Sequence, residues 1–441
     1  MAGHKDKPAL FWHDKQITYI EFDLLIHEWD RIVADHPVTE GTVCAYVGDY
    51  SPNTCALIFA LMKCKAVLVP FTRAIEKETP EFLKIACADC IFRFQEDDTW
   101  TFDRLPHIEK NALLVKFAER GHPGLIVFSS GSSGLPKGIV QDCENVMKKF
   151  IAERKGWKTV LFLLMDHFGG FNTLMSSFAY GGMGVCLKDR MPETVCQAIA
   201  ASRADLLPTT PTFINFLIAS KCYNTYDLSS VEMISYGTEV MASATLKKVH
   251  EIFPNAQVKQ TYGLSELGVL RSKSESDESV WVKIGGDGFE VKIADGTLWI
   301  RSEANMVGYL NAPDPFDAEG WMNTGDLVEV KGEYMRILGR KSDMINVGGQ
   351  KVFPVEVENV LLEDENVAEV SVFGKAHPVM GNVVHAKITL LEPEDQEQLV
   401  IRLRKLCLAK LSKYKVPVKF AVIENDSPQY NARFKKVRKE Q

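Results

Sequence analysis

Residues 128–139 read FSSGSSGLPKGI: three glycines, four serines, one proline and one lysine, directly after the apolar run Leu125-Ile126-Val127-Phe128. Small residues let a backbone approach a ligand closely. Serine hydroxyls and free backbone N–H groups suit phosphate oxygens, and a lysine adds a mobile positive charge. A flexible surface turn would have the same composition. Residue order excludes one reading. A Walker A loop needs Gly-Lys-Ser/Thr opening a helix, whereas here Lys137 follows Pro136 and precedes Gly138. The stretch reads as a phosphate loop of another kind, and the rest of the chain must say which.

The chain has 441 residues, enough for roughly two to four domains. Hydrophobic residues make up 46% and charged residues 25%, the balance of a soluble globular protein with a large core. A formal net charge of -7 argues against coating nucleic acid. The basic run Phe434-Lys435-Lys436-Val437-Arg438-Lys439 is the exception and reads as a solvated end. Ten cysteines are scattered, and Cys87-Ala88-Asp89-Cys90 is a lone CxxC with no second pair to complete a zinc site, so it reads as structural. Free thiols point to a reducing compartment. Residues 1–7 have no apolar signal core, and no run of about 18 apolar residues exists, so a cytoplasmic location without a membrane span is expected.

Apolar positions at helical spacing predict a helix over 19–36, then a strand over 42–47, a helix over 53–64 and a strand over 66–70. Strand, helix, strand at this spacing is a βαβ unit with a parallel sheet. The pattern recurs: strand 125–128, helix 142–155, strand 159–164, helix 171–180, strand 183–187, helix 192–202, with strand ends at 206–208 and 233–235. From about Trp281, short alternating stretches with Gly-rich turns predict antiparallel strands and a small barrel. A boundary falls near 340. After it, strands at 344–347, 367–375, 383–391 and 418–423 and helices at 354–364 and 394–412 form a compact α+β unit. The predicted fold class is α/β, with a large N-terminal domain (1–340) of parallel-rich sheets, helices and a small antiparallel barrel. A small mobile α+β domain (341–441) follows.

Five further stretches follow the glycine loop in order: Ser235-Tyr236-Gly237-Thr238-Glu239, Gln260-Thr261-Tyr262-Gly263-Leu264-Ser265-Glu266, Asn323-Thr324-Gly325-Asp326, Gly339-Arg340, and 346–354 with Gly348-Gly349. Each alone could be a turn. Together they resemble the adenylate-forming superfamily of acyl- and aryl-CoA ligases, adenylation domains and luciferases, over nearly the whole chain. The loop is similar to TSGTTGxPKG, and residues 339–358 resemble the family block Gly-Arg-x-x-Asp-Met-Ile … Gly-Gly … Pro-x-Glu-x-Glu.

The resemblance implies a two-step reaction. A carboxylate attacks the α-phosphate of ATP, giving acyl-AMP and pyrophosphate, and a thiol then attacks the mixed anhydride. Activation of this kind requires neutralised phosphate charge and two anions held together. By resemblance, Ser129, Ser130, Gly131, Ser132, Ser133, Gly134 and Lys137 wrap the β- and γ-phosphates. Ser265 bonds the α-phosphate, and Glu266 is the Mg²⁺ partner. Tyr262 and Gly263 lie against adenine, with Tyr236, Gly237 and Thr238 along the base. Asp326 accepts from both ribose hydroxyls, and Arg340 completes the nucleotide set. Ser342 matches the hinge after which the C-terminal domain rotates. Gly348 and Gly349 suit the tunnel for the thiol arm of coenzyme A, or for the phosphopantetheine of an acyl carrier protein. His167, Phe168, Gly169 and Asn172 match the acid pocket, with His167 at the gating position; an interior histidine satisfied by its neighbours is the other reading. The family's amino-acid-activating members carry an aspartate where Phe168 and Gly169 stand, which argues against amino acids, although Asp166 is adjacent.

The late catalytic lysine of the family aligns with Lys435, but Phe434 replaces the preceding glycine, leaving Arg433 and Lys436 as other candidates. The chain is also short for the family between Phe71 and Gly121 and after Glu266. The leading expectation is therefore an acid–CoA ligase acting on a non-amino carboxylic acid. Alternatives are a ligase loading a carrier protein and an adenylate-binding protein with little catalysis. Lys435→Ala is expected to lower pyrophosphate release by about 10²-fold or more; an unchanged rate removes Lys435 from the role.

Overall fold

Parallel strands with apolar residues on both faces must be covered on both sides, and this chain has two sheets with such strands at their centre, the first almost wholly parallel and the second mixed. The computed structural model describes residues 4–75, 77–130, 136–286 and 288–423, with the Ser130 side chain left out. The first sheet has seven strands, in the order Gln257–Gln260, Met233–Tyr236, Leu206–Thr209, Lys158–Val160, Met183–Val185, Pro8–Trp12 and Lys15–Thr18. All its pairings are parallel except the terminal hairpin of Pro8–Trp12 with Lys15–Thr18. The second, also of seven strands, runs Gly308–Tyr309, Pro136–Asp142, Gly124–Ser130, Val67–Phe71, Val43–Val47, Cys90–Phe94 and Trp100–Arg104.

Strand alternation sorts the side chains into layers. On Val43–Val47, Cys44 and Tyr46 face the layer shared by the two sheets, whereas Val43, Ala45 and Val47 face an outer layer with Phe82, Leu114 and Phe117. The shared layer takes the helices Tyr19–Asp35, Pro52–Lys63 and Phe168–Ala179, through Phe22, Trp29, Leu57, Leu61, Phe171 and Leu174. The far face of the first sheet is covered by Pro192–Ser202, Pro211–Ser220 and Ser243–Ile252. Helix starts follow local chemistry. Thr18 and Glu21 form a reciprocal capping box, and Ser51 and Thr210 accept from the first turns of their helices ahead of Pro52 and Pro211.

Across the seam between the sheets, Arg190 forms a two-pronged pair with Asp49, one Nη2–Oδ1 distance being 2.7 Å, and donates from Nε to the Phe162 carbonyl at 3.1 Å. Asp49 follows a strand of the second sheet, and Arg190 lies beyond a strand of the first.

The antiparallel strands beyond 270 form a curled six-stranded sheet, in the order Ser272–Ser274, Val282–Ile284, Tyr334–Arg340, Met322–Lys331, Thr297–Ser302 and Phe289–Ala294. Beyond Arg340 a fifth sheet carries Gln350–Val352, Ile345–Val347, Gly381–Leu390 and Val367–His377, with Lys419–Val422 parallel to Gly381–Leu390. The helices Pro354–Leu361 and Gln396–Lys410 cover it through Val357, Leu361, Leu399 and Leu403.

The mixed α/β class is as expected. One element differs clearly: the helix expected over 142–155 ends as Cys143–Met147, followed by a 3₁₀ turn Lys148–Phe150. The helix stops where the Lys149 side chain turns inward to Asn172. All ten cysteines are free thiols, Cys87 and Cys90 among the buried ones, as expected for structural residues. No helix among the described residues is long and apolar enough to cross a membrane.

Candidate functional site

The glycine–serine stretch caps a hairpin. Gly124–Ser130 pairs antiparallel with Pro136–Asp142 in the register Ser129↔Lys137 and Ser130↔Pro136. Gly131, Ser132, Ser133 and Gly134 lie outside the described residues, as do Arg433, Lys435 and Lys436. The base of the hairpin is braced from a distant segment. Asn311 Nδ2 donates to the Pro136 carbonyl at 2.8 Å, and Asn311 Oδ1 accepts from the Gly138 N–H at 3.0 Å. The short strand Gly308–Tyr309 adds to the sheet edge there, with Tyr309 opposite Ile139.

Tyr309 is one of the residues that sequence reasoning missed, with Gln141 and Asn311. The Lys137 ammonium lies 5.1 Å from its ring centroid, and its hydroxyl donates to Glu266 Oε1 at 2.7 Å. Burial and the Glu266 charge push the Tyr309 hydroxyl pKa up, so it stays a donor at neutral pH. The Glu266 carbonyl accepts from the Met306 N–H at 2.8 Å, and the Ser265 carbonyl accepts from Gln141 Nε2 at 2.6 Å. Cation, phenol and carboxylate are thereby lined up at the foot of the loop. The sequence signal was a glycine, Gly308, immediately before an aromatic residue.

A second cluster gathers Tyr262, Asp326 and Arg340. The Tyr262 hydroxyl donates to Asp326 Oδ2 at 2.5 Å, and Arg340 Nε lies 3.5 Å from Asp326 Oδ1. The cross-strand register Asp326↔Arg340 sets this meeting. Asp326 is only 7% exposed. Burial raises its carboxyl pKa, and the Arg340 charge opposes the rise. Burial, and then the Asp326 charge, raise the Tyr262 pKa strongly.

Tyr236 departs from expectation. Its ring is buried in the core of the first sheet and its hydroxyl donates to Gln260 Oε1 at 3.3 Å, so the ring points away from the strand-end cluster. It reaches the site by its backbone only: its carbonyl accepts from Thr261 N at 2.7 Å and Thr261 Oγ1 at 3.0 Å. Gly237 is required at this crossing, because a Cβ would stand 2.5 Å from Thr261 Oγ1. Thr238 adopts φ +70°, a strained backbone of the kind that concentrates at functional sites. Glu239 accepts from Thr212 Oγ1 at 2.6 Å and, with Pro211 and Asn215, faces Val355, Glu358 and Asn359 of the C-terminal unit.

His167 is the N-cap residue of Phe168–Ala179, without a side-chain capping bond. Phe168 packs into the shared core, and its ring stands 3.8 Å from where a Gly268 Cβ would be, next to the hairpin of Tyr262–Leu264 with Gly268–Leu270. The Gly169 carbonyl accepts from Thr173 Oγ1 at 2.8 Å, and Asn172 Oδ1 accepts from Lys149. Gly263 belongs to that hairpin and runs 2.7 Å from the Gly268 carbonyl, measured from where a Cβ would lie.

Ser342 lies in the exposed 3₁₀ turn Lys341–Asp343, and its hydroxyl donates to Asp343 Oδ1 at 3.1 Å. Gly348 and Gly349 both adopt positive φ, +57° and +85°, at the tip of the hairpin Ile345–Val347 with Gln350–Val352. The Gly348 N–H donates to the Met380 carbonyl at 2.8 Å and Gly349 N–H to Asn346 Oδ1 at 2.9 Å. The turn itself therefore demands both glycines. These contacts lie within the C-terminal unit and do not join the pair to the Glu266 and Asp326 clusters.

A family described as "AMP-binding enzyme" matches residues 1–310, and one described as "AMP-binding enzyme C-terminal domain" matches residues 356–432. An indoleacetate–CoA ligase from Aromatoleum aromaticum is 25% identical over 93% of this chain and 90% of its own length. A 2-succinylbenzoate–CoA ligase from Listeria monocytogenes is 27% identical, over 94% and 92% respectively. Among solved structures, the anthranilate CoA ligase AuaEII in complex with anthranoyl-AMP superposes with a TM-score of 0.83 at 19% identity, covering 99% of this chain and 93% of that one, which shows a shared fold.

The buried Asp326 gives a testable consequence. Its raised pKa makes the charged form costly in the fold, and the cost disappears as pH falls through the folded-state pKa. Asp326→Asn is expected to hold or raise the unfolding free energy at pH 7, by up to about 0.5–2 kcal/mol, and the thermal midpoint with it, the difference shrinking in acid. A lower midpoint at pH 7 would show instead that folding needs the Asp326 charge.

Proposed function

The chain belongs to the AMP-binding enzyme family, and from that membership we propose that it activates a carboxylic acid with ATP and passes the acyl group to coenzyme A. The acid's carboxylate oxygen attacks the α-phosphorus, and the bond to the bridging oxygen breaks, so pyrophosphate leaves with the electron pair. The coenzyme A thiolate then attacks the acyl carbon and AMP departs. The observation that carries this reading is the line Lys137–Tyr309–Glu266 at the foot of the loop.

In this reading, Ser129, Lys137 and the loop hold the β- and γ-phosphates while pyrophosphate charge develops. Ser265 lies beside the α-phosphate. Asp326, with an oxygen already oriented by Tyr262, accepts from the ribose hydroxyls, and the Arg340 charge opposes the rise in its pKa that burial causes. The Tyr236–Thr238 backbone forms the wall beside the base. Magnesium, when bound with the nucleotide, neutralises triphosphate charge. One carboxylate plus phosphates is its favoured donor set, and Glu266 fits it: Tyr309 occupies and orients one oxygen of that carboxylate. Among the described residues no group of three or more His, Cys, Asp or Glu could hold a metal, so the phosphates would supply the remaining oxygens. His167 gates the acid's carboxylate at the head of its helix. We divide the chain at Ser342, residues 1–340 binding ATP and acid and residues 341–441 rotating to bring first Lys435, then Gly348-Gly349, to the site.

Pyrophosphate release with Mg-ATP, against benzoates, cinnamates, fatty acids and amino acids with and without coenzyme A, tests this reading. Release confined to one class of non-amino acid and accelerated by coenzyme A is the expected result. Release that coenzyme A does not accelerate would replace it as acceptor by a carrier-protein phosphopantetheine, and no release from any acid would overturn the ligase reading. Tyr309→Phe removes a hydrogen bond to a charged group, worth about 1.5–3 kcal/mol. It is expected to lower kcat/KM for ATP roughly 10–100-fold, and an unchanged value would take Tyr309 out of the site.

A further inference from the structure

The strand Pro136–Asp142 carries one side chain that breaks its pattern. Lys137, Ile139 and Gln141 alternate onto one face. Ile139 belongs to the shared core, and Gln141 stands opposite Leu125 of the same core, only 1% exposed. An amide at a core-facing strand position contradicts the apolar alternation around it, and such breaks concentrate where function outweighs packing. Its Nε2 donates to the Ser265 carbonyl at 2.6 Å, across 124 residues of sequence. Its Oε1 is shielded from solvent and has no hydrogen-bond partner among the described residues. Leaving a buried amide oxygen unsatisfied costs stability, whereas an apolar side chain of similar shape carries no such cost. The bond to Ser265 is what the amide supplies against that cost.

Ser265 and Glu266 sit in the turn that joins Tyr262–Leu264 to Gly268–Leu270, closed by the Leu267 N–H donating to the Leu264 carbonyl at 3.1 Å. Carbonyls in such a turn lie outside the ladder and need partners from elsewhere. The Glu266 carbonyl takes the Met306 N–H at 2.8 Å, and the Ser265 carbonyl takes Gln141. A peptide unit is planar, so holding the Ser265 carbonyl also fixes the direction of the Glu266 N–H across the same bond. Tyr309 then holds the Glu266 carboxylate. Met306 acts by its backbone and Tyr309 on a side chain. Gln141 sets the backbone of the turn through a side chain, so one substitution removes that support.

We propose that Gln141 is a positioning residue for adenylate formation: by holding the Ser265–Glu266 peptide it aims the Ser265 hydroxyl and the Glu266 carboxylate at the phosphate end of the nucleotide. This inference rests on the ligase reading, which puts Ser265 beside the α-phosphate, and adds to it a residue that acts through Ser265 and not on the substrate. The strand links two parts of the phosphate site. Lys137 and Gln141 are four residues apart on one face, about 13 Å at about 3.3 Å per residue. The element that carries the loop cation therefore also sets the turn that carries Glu266.

Gln141→Met tests it, since methionine is close in volume, removes the orphaned oxygen and cannot donate. In pyrophosphate release, kcat/KM for ATP is expected to fall about 10–100-fold, the scale of a small misplacement of a catalytic group, while the thermal midpoint holds or rises. By calorimetry, AMP should bind the variant at least about fivefold more weakly than it binds the wild type. Adenosine, which lacks the α-phosphate, should bind both equally. A residue that only stabilised the fold would move midpoint and activity down together. That result, an unchanged kcat/KM, or AMP and adenosine affected alike would overturn the proposal and leave the ligase reading standing. Should the methionine variant not fold, Gln141→Leu takes the same measurements, and a protein that folds with neither side chain would make Gln141 structural and likewise overturn it. No pyrophosphate release from any acid by the wild type would remove the ligase reading and this inference with it.

Discussion

Arg190 joins the two seven-stranded sheets, and the layout of the site depends on that seam. Its guanidinium is almost fully buried, takes Asp49 from one sheet and the Phe162 carbonyl from the other, and leaves the two in one fixed relation. A planar, permanently charged group with several donors suits this task better than an ammonium would. The second sheet carries the glycine–serine hairpin. The first carries the strands that end at Tyr236 and Gln260. The helix Phe168–Ala179, with His167 at its head, is packed between them. The hairpin, the two strand ends and the head of that helix keep their mutual placement only if the sheets keep their relative orientation.

Within that frame the site is made of polar contacts between residues far apart in sequence. Tyr309 comes 43 residues after the Glu266 it holds, and Tyr262 precedes its Asp326 partner by 64. In each pair a phenol is kept neutral by burial and presents its proton to a carboxylate. The remaining carboxylate lone pairs stay available for ligands. Family membership and this geometry agree on an acid-activating enzyme.

Much of the fold was legible because it rests on local periodicity. The helix at 192–202 was placed to the residue, and the βαβ series at 42–70 to within about one residue, since buried strands and amphipathic helices write their spacing into the chain. The terminal hairpin of Pro8–Trp12 and Lys15–Thr18 was not seen, because its turn uses His13 and Asp14 at positive φ in place of glycine. The helix expected to reach 155 was misjudged because an inward lysine outweighed helical propensity. At the site, Tyr262, Glu266, Asp326 and Arg340 were singled out from local motifs, and the structure shows their side chains in polar contacts. Tyr309, Gln141 and Asn311 were missed because their partners lie 43 to 175 residues away. For Tyr236 the motif specified a position, whereas burial decides where its ring points.

The two-residue strand Gly308–Tyr309 also bears on how the chain is made. It closes the edge of a sheet whose neighbouring strand ended at Asp142, and Asn311 then locks the base of the hairpin. During vectorial synthesis, Pro136–Asp142 leaves the ribosome long before residue 309 exists, so its outer edge stays an open template for much of translation. Tyr19 likewise waits for the Gly182 carbonyl, 163 residues downstream. The nascent N-terminal half is thus obliged to remain incomplete, with a bare strand edge to protect, until roughly two-thirds of the polypeptide has emerged.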